Sequence, residues 1–339
     1  MHADELYYHL PEALIARYPV EPRDASRLLI VYRNTRTFHE DVFANIGNYL
    51  HPGDALVLNN TRVIRARLHG KKPTGGHVEL LLLREREQGL WESLVRPAAR
   101  VRSGTTVELP HGIIATLEQR EVSGKWLVRF SLTDIIAVLE EVGAIPLPPY
   151  LHRDAEPLDN ERYQTVFAQK PGSVAAPTAG LHYTPALLQQ IQQRGVHIHY
   201  VTLHVGYGTF KPITTERLEE HRVDPEPFEV DAETAETLTN VRAAGGRVVA
   251  VGTTVTRVLE SVCRGERFTA QTGETDLYIY PPYTFRAVDV LQTNFHLPRS
   301  SLLALVCAFA DKELIFSAYR YAIEKKFRFY SYGDAMLIV

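Results

Sequence analysis

Between residues 65 and 135 the sequence breaks into short β-type segments: HVELLLL at 77 to 83, LWESLVR at 90 to 96, TTVEL at 105 to 109, IIATLE at 113 to 118 and KWLVRF at 125 to 130. Gly75, Gly76, Gly89, Gly104, Gly112 and Gly124 separate them at hairpin spacing, and almost no helical period runs through the stretch. A sheet of five or more short strands must close on itself or be covered, because an open edge offers unpaired amides and carbonyls to any passing strand. The segment therefore predicts a small antiparallel barrel or sandwich. It ends at AIPLPPYLHR, where Pro146, Pro148 and Pro149 forbid regular structure and make a stiff connector.

On either side the period changes. RLLIVY at 27 to 32 and ALVLN at 55 to 59 read as buried strands that lack a core of their own. Thr184 suits an N-cap and Pro185 the first helical position; Leu187, Leu188 and Ile191 share a face, Gly195 ends the helix, and VHIHYVTL follows as a strand. A second helical stretch at 232 to 244 stops at Gly245 and Gly246, ahead of the strand RVVAV at 247 to 251 and a helix after GTT at 252 to 254. Helices alternating with buried strands predict an α/β layer fold. The expected architecture is a large mixed α/β domain built from residues 1–63 and 150–339, interrupted by a small antiparallel β-barrel domain at 64–149. At roughly 150 residues per domain, 339 residues agree with two.

Composition narrows the function classes. With 45% hydrophobic and 23% charged residues the chain is an ordinary globular one. Its most apolar stretch, 301 to 310, is far short of the ~20 residues that cross a bilayer, and the opening carries acids where a signal peptide has a basic start. Cys263 and Cys307 permit at most one disulfide and no four-cysteine zinc site, so the cytoplasm is the expected compartment. The net charge of −3 argues against indiscriminate coating of nucleic acid. Locally, Arg62 to Arg102 holds ten basic residues against four acidic ones, which suits either a phosphate-contacting surface or a solvated face of alternating charge.

Three strings carry candidate chemistry. SVAAPTAGLHYTP at 173 to 185 combines small residues with a helix start, letting backbone approach a ligand closely and offering free amides to an anion; Thr178, Ala179, Gly180 and His182 are its candidates. TLHVGYGTFKP at 202 to 212 ends a strand in His204, Gly206, Gly208 and Thr209, but Lys211 stands where a dinucleotide loop needs its third glycine. AVGTTVTRVLES at 250 to 261 sets Gly252, Thr253 and Thr254 at a helix start with Arg257 one turn on, a seat for an anionic group, with Thr254 alternatively a plain cap. His197, His199 and His204 lack an acidic ligand at metal spacing, so no metal is expected, and no nucleophile elbow occurs. Asp24, Glu161, Asp276, Asn294, His296 and Asp334 are polar residues in apolar text, each a general acid or base or else a buried hydrogen-bond partner.

Together the strings resemble one family along nearly the whole chain, the S-adenosylmethionine:tRNA ribosyltransferase-isomerases of queuosine biosynthesis. The matching text includes RDASRLLI at 23 to 30, PGDALVLNNTRVIRARLHG at 52 to 70, IPLPPYLHR at 145 to 153, ERYQTVFA at 161 to 168, GSVAAPTAGLHYT at 172 to 184, VTLHVGYGTFKP at 201 to 212, RVVAVGTTVTRVLES at 247 to 261, VDVLQTNFHLPRSSLLALVCAFA at 288 to 310 and FYSYGDAMLI at 329 to 338. The resemblance implies an α/β fold with an inserted barrel. It also implies transfer and isomerisation of the ribosyl moiety of S-adenosylmethionine onto the 7-aminomethyl-7-deazaguanine base at the tRNA wobble position, giving epoxyqueuosine-tRNA, adenine and methionine. S-adenosylmethionine is then a consumed substrate, and no cofactor is expected.

On that basis Thr178, Ala179, Gly180, His204, Gly206, Gly208, Thr209, Gly252, Thr253, Thr254 and Arg257 are expected to line the S-adenosylmethionine pocket. Asn59, Thr61, Arg62, Arg65, Arg67, Lys71 and Lys72 are expected to meet the tRNA, and His182, Glu161, Asp334 and His296 to supply acid or base. A monomer is the default. The text departs from the family pattern at Asn60 for aspartate, at VDPE (223 to 226) for Met-His-Ser-Glu, and at Pro282 for glycine. Asp224 removes an imidazole, which leaves a paralogue of altered chemistry such as methyl transfer, or a non-catalytic RNA-binding module, as the competing readings.

Overall fold

The structure is a computed structural model that describes residues 1–210 and 212–339, so Lys211 of the glycine-bearing loop lies outside the described residues. The chain opens with the hairpin β1 (Arg27–Tyr32) and β2 (Thr37–Val42), then β3 (Ala55–Asn59) and a short β4 (Thr61–Val63). Six strands follow, β5 (Arg67–Lys71), β6 (His77–Glu87), β7 (Leu90–Arg96), β8 (Thr106–Glu108), β9 (Ile114–Arg120) and β10 (Trp126–Phe130), then helix α1 (Ile136–Val142) and β11 (Gly143–Ala144). The return adds α2 (Asp159–Arg162), β12 (Lys170–Ser173), α3 (Pro185–Gln193), β13 (His197–Leu203), β14 (Glu226–Val230), α4 (Ala232–Ala243), β15 (Val248–Val251) and α5 (Thr253–Val262). A small hairpin of β16 (Cys263–Arg264) and β17 (Arg267–Phe268), then β18 (Gln271–Thr275), β19 (Val290–Asn294), α6 (Ser301–Ala310), α7 (Lys312–Glu324) and β20 (Ala335–Ile338) complete it.

Nine strands form one mixed sheet in the order β18-β14-β13-β3-β15-β19-β20-β1-β2. Its centre, β13, β3, β15 and β19, is parallel, and every residue of β3, β15 and β19 is buried. That is why ALVLN and RVVAV read as unbroken apolar text: helices cover both faces of a parallel sheet, so neither face alternates with water. Val57, Ala250 and Leu291 face a core shared with α4 to α7, while Leu56, Leu58, Val249 and Val290 face α3 through Leu187 and Ile191. Thr184 caps α3 as the sequence indicates, its hydroxyl accepting the Leu187 amide at 3.1 Å.

The glycine-punctuated segment closes into an antiparallel barrel, β5-β6-β7-β10-β9-β8 and back to β5 through Lys71 and Glu108, with β11 added on β5. All five expected strands form, as β6 to β10; β5 is the one the sequence reading passed over, because RLHGK sets basic residues and a glycine where a strand signal needs β-branched residues. Gly70 is the closing device. A Cβ there would meet a Val107 methyl at 2.5 Å and the Glu108 carbonyl at 2.6 Å, so only glycine lets β5 and β8 meet. Leu68, Leu80, Leu82, Val95, Leu117, Val128, Trp91 and Trp126 fill the interior.

Gly70→Ala therefore forces the seam apart, and an overpacked site of this kind costs roughly 1 to 3 kcal/mol. The expected result is a lower urea midpoint for the variant, read by fluorescence of Trp91 and Trp126 inside the barrel.

Candidate functional site at the carboxyl ends of the parallel strands

The chain leaves β13, β3, β15 and β19 at the same end of the sheet, through His204 to Thr209, Asn60 to Arg62, Gly252 to Thr254, and Phe295 to His296. Strand ends of an open α/β sheet are where ligands bind, because the loops diverge there and leave a crevice. Asn59 joins three of these exits. Its amide donates to the Leu203 carbonyl at 3.0 Å and to Thr254 Oγ1 at 3.4 Å, while its carbonyl oxygen accepts the Thr61 and Leu203 amides, both at 3.1 Å. The side chain is 2% exposed and fully committed, so it is a strut between strands. Asn60 does similar work one residue on, accepting from Thr202 Oγ1 at 2.7 Å and donating to Gln169 at 3.4 Å.

The 178–182 turn packs directly on the start of α5. Gly252 has φ +90°, and a Cβ there would lie 3.2 Å from that of Ala179, so a glycine is needed for both conformation and approach. α5 has no side-chain cap, in contrast to α3, α4, α6 and α7, which Thr184, Asp231, Ser300 and Asp311 cap. Thr254 is not that cap; it sits in the first turn as a partner of Asn59.

The 204–209 loop is held from below. The His204, Val205 and Gly206 amides go to the Pro227 carbonyl (2.9 Å), Ser173 Oγ (2.8 Å) and Glu226 Oε1 (2.7 Å), so they are not spare donors for a ligand. His204 Nδ1 pairs with Thr61 Oγ1 at 2.8 Å, and burial lowers the pKa of its imidazole. Glu226 also accepts from Thr209 Oγ1 at 3.1 Å and, through its other oxygen, from Arg257. Arg257 completes its set on the Leu277 and Thr275 carbonyls at 2.9 and 3.1 Å. Arg257 and Glu226 are a buried pair that braces the loop, and sequence reading missed Glu226 although it ends the flagged VDPE string.

Two adjoining cavities open here. One is lined by Gly208, Thr209, Asp224, Glu226, Arg257 and Tyr278. The other is lined by Tyr150, Thr178, Thr209, Asn294, His296 and Ser331, and the two share Thr209 and Leu302. Asp224 lies against Gly208, where a Cβ would come within 2.7 Å of its carboxylate.

Of the four acid–base candidates, His296 lines the second cavity, with Nε2 2.8 Å from Thr293 Oγ1, and burial lowers its pKa to about 3. His182 is a buried junction. Asn294 donates its NH2 to the Tyr330 carbonyl, so its oxygen accepts from His182 Nε2 at 3.0 Å, while His182 Nδ1 accepts from Ser26 Oγ at 2.7 Å. Burial holds the ring neutral, with a pKa near 4. Asp334 accepts the Arg27 and Arg328 amides at 3.0 and 2.7 Å, and burial raises its pKa. Glu161 is exposed on α2, lines neither cavity, and accepts from Arg23 through its backbone carbonyl. Asp24 accepts from Thr184 Oγ1 at 3.1 Å, and Asp276 is exposed.

On the basic face Arg62 and Arg65 both pair with Glu140 of α1, and Arg67 pairs with Glu79 at 2.9 Å. Lys72 donates to the Arg100 carbonyl at 3.0 Å, and Lys71 is exposed. Among the described residues no group of three or more His, Cys, Asp or Glu is placed to hold a metal, and no helix is long and apolar enough to cross a membrane.

A mixed α/β sheet that carries a closed barrel and gathers glycine turns, hydroxyls and an uncapped helix start at its carboxyl rim belongs to the class of α/β enzymes that bind a small polar ligand at strand ends. A family profile described as "Queuosine biosynthesis protein" matches residues 3–338, and the chain belongs to that family. Proteins named S-adenosylmethionine:tRNA ribosyltransferase-isomerase from Trichlorobacter lovleyi and Aquifex aeolicus are 49% and 48% identical to it over 341 and 340 residues, covering all of both chains. The crystal structure of S-adenosylmethionine tRNA ribosyltransferase from Thermotoga maritima is 39% identical, with a TM-score of 0.58 over 99% of this chain and 100% of that one.

The neutral histidine junction has a pH signature. An unfolded histidine takes up a proton near pH 6.5, and the folded His182 only near 4, so stability is full above 6.5 and falls as pH drops toward 4. The slope from this group reaches about 1.4 kcal/mol per pH unit, and His182→Gln is expected to make the dependence shallower in urea titrations at pH 4.5 and 7.5.

Proposed function

We infer that this chain transfers and isomerises the ribosyl moiety of S-adenosylmethionine onto the 7-aminomethyl-7-deazaguanine base at the wobble position of tRNA, releasing adenine and methionine and leaving epoxyqueuosine. The observation that carries the site reading is that the exits of β13 and β19, with the Arg257 side chain of α5, border two cavities that share Thr209. S-adenosylmethionine occupies this pair of cavities, between the 178–180 turn, the 204–209 loop and the start of α5. The uncapped first turn of α5, with Gly252, Thr253 and Thr254, suits the carboxylate of the methionine moiety, since a helix start carries partial positive charge and unpaired amides.

The chemistry asks for loss of a proton from a carbon beside the sulfonium, departure of the purine, and an amine held in line. Of the acid–base candidates His296 has the best support, because it alone of the four lines a cavity shared with Thr178 and Thr209. His182 and Asp334 have their polar atoms committed to neighbouring elements, which supports a positioning role for both. Asn59 and Thr61 position the rim between ligand and tRNA, and Arg62, Arg65, Arg67, Lys71 and Lys72 face the tRNA backbone. The carboxylates of Glu140 and Glu79 hold three of those arginines in fixed directions until phosphates compete for them.

We read residues 64–149 as a separate barrel domain inserted into one built from 1–63 and 150–339, a reading supported by the barrel's own apolar core. The protein works as a monomer in the cytoplasm, in keeping with exposed large apolar residues that are scattered along the chain and with free, buried Cys263 and Cys307.

The test is incubation with S-adenosylmethionine and tRNA bearing the aminomethyl-deazaguanine base, followed by mass spectrometry. Stoichiometric adenine and methionine with a ribosyl-derived mass gain are expected, and S-adenosylhomocysteine in their place would overturn the reading. Thr254→Ala and Thr178→Ala are each expected to raise KM for S-adenosylmethionine roughly tenfold, the worth of one lost hydrogen bond, while tRNA affinity holds.

A further inference from the structure

A cleft lies on the outer face of the barrel and shares no lining residue with the two ligand cavities. Its floor is two cross-strand rows on β5, β6 and β7, one of Arg67, Leu81 and Leu94 and the other of His69, Glu79 and Arg96. The proline-rich segment from Ala144 to Ala155 forms one wall and Tyr207 another. Tyr207 stands between Gly206 and Gly208, on the loop whose next residues, Gly208 and Thr209, line the first ligand cavity. One short loop therefore separates the cleft from the ligand site.

The charges in the cleft are unevenly committed. Arg153 is spent on Asp159, at 2.7 and 2.8 Å, and on the Arg17 and Asp154 carbonyls, both at 3.0 Å. Arg67 is held by Glu79. Arg96 is exposed and, among the described residues, forms no ion pair. An apolar stripe, an aromatic ring and an uncommitted guanidinium are the elements that receive a single-stranded nucleotide: the base stacks, and the cation meets its phosphate. A duplex offers no splayed base to such a recess, whereas an anticodon loop does.

We propose that this cleft seats one unpaired anticodon-loop nucleotide of the tRNA substrate, with its base against Tyr207 and its phosphate on Arg96. The proposal rests on tRNA being the acceptor. It gives Tyr207 a specific task, since its backbone belongs to the ligand loop and its side chain to the RNA cleft, so seating the nucleotide sets the distance between the acceptor base and the bound S-adenosylmethionine.

The test uses the full-length enzyme and steady-state adenine release. Tyr207→Ala and Arg96→Ala are each expected to raise KM for tRNA about tenfold, as loss of one stacked base does, and Arg96→Ala to leave KM for S-adenosylmethionine within twofold of wild type. Tyr207→Phe keeps the ring and is expected to recover the tRNA KM to within about threefold. Arg96→Ala, remote from the ligand loop, is also expected to flatten the dependence of log affinity on log salt by about 0.7, the single-strand value for one phosphate contact. If both alanine variants leave KM for tRNA within twofold, or Arg96→Ala raises KM for S-adenosylmethionine instead, the cleft has no such role. If wild-type protein releases no adenine in the presence of acceptor tRNA, the activity it rests on fails as well, an outcome distinct from active enzyme with indifferent variants.

Discussion

The site depends on a single buried amide. Asn59 ends β3, the innermost strand of the parallel group, and uses both of its polar atoms twice, on Leu203 of β13, on its own turn at Thr61 and on Thr254 in the first turn of α5. Parallel strands leave their last carbonyls and amides unpaired where the loops diverge, and buried groups of that kind must find partners. Asn59 satisfies them and in doing so fixes three loops relative to one another. Glu226 and Arg257 repeat the device one layer outward, joining β14, the 204–209 loop, α5 and the approach to β19. The charged pair has little water around it, so removing either partner leaves an uncompensated charge, and this makes the bracing rigid.

The barrel hangs from the same rim. β4, which begins two residues after Asn59, pairs in parallel with β12, and Ile64 and Val174 enter the barrel core from these two segments. Arg84 of β6 forms an ion pair with Glu274 of β18 at the edge of the large sheet, and Tyr207 packs against the barrel core from the ligand loop. The loop that borders the two cavities is thus also the loop that touches the barrel. This arrangement suits a reaction joining a small sulfonium substrate to a base on a large RNA, because both must be positioned to within a fraction of an ångström.

Much of this was legible in the sequence because it is written in short-range chemistry. β1, β3 and β7 match the expected strands residue for residue, β1 and β3 because their text is apolar where both faces are covered, and β7 because glycine precedes it and proline follows it. The turn at 178–182 and the start of α5 were marked by small residues, and the touching of Ala179 and Gly252 explains why. His182, in the small-residue string, and Asp334, a polar residue in apolar text, were also found, yet three of their partners, Ser26, Asn294 and the Arg27 amide, lie more than a hundred residues away in the chain. A lone polar letter shows that a partner is required and not which partner it is. Glu226 escaped for the same reason, and Tyr207 read as a spacer between two glycines.

The sequence alone determined the alternation of buried strand and helix, the interrupting β-rich segment, the positions of the tight turns and, through long ordered strings, the family. Those features depend on neighbours within a few residues, where propensity, capping and glycine act directly. The tertiary structure decided which strand ends stand side by side, which basic residues are already neutralised, and which buried side chains brace and which line a cavity. These depend on pairing between residues distant in the chain, such as Asn59 with Leu203 or Arg84 with Glu274, and on desolvation that exists only after the sheet and barrel have packed.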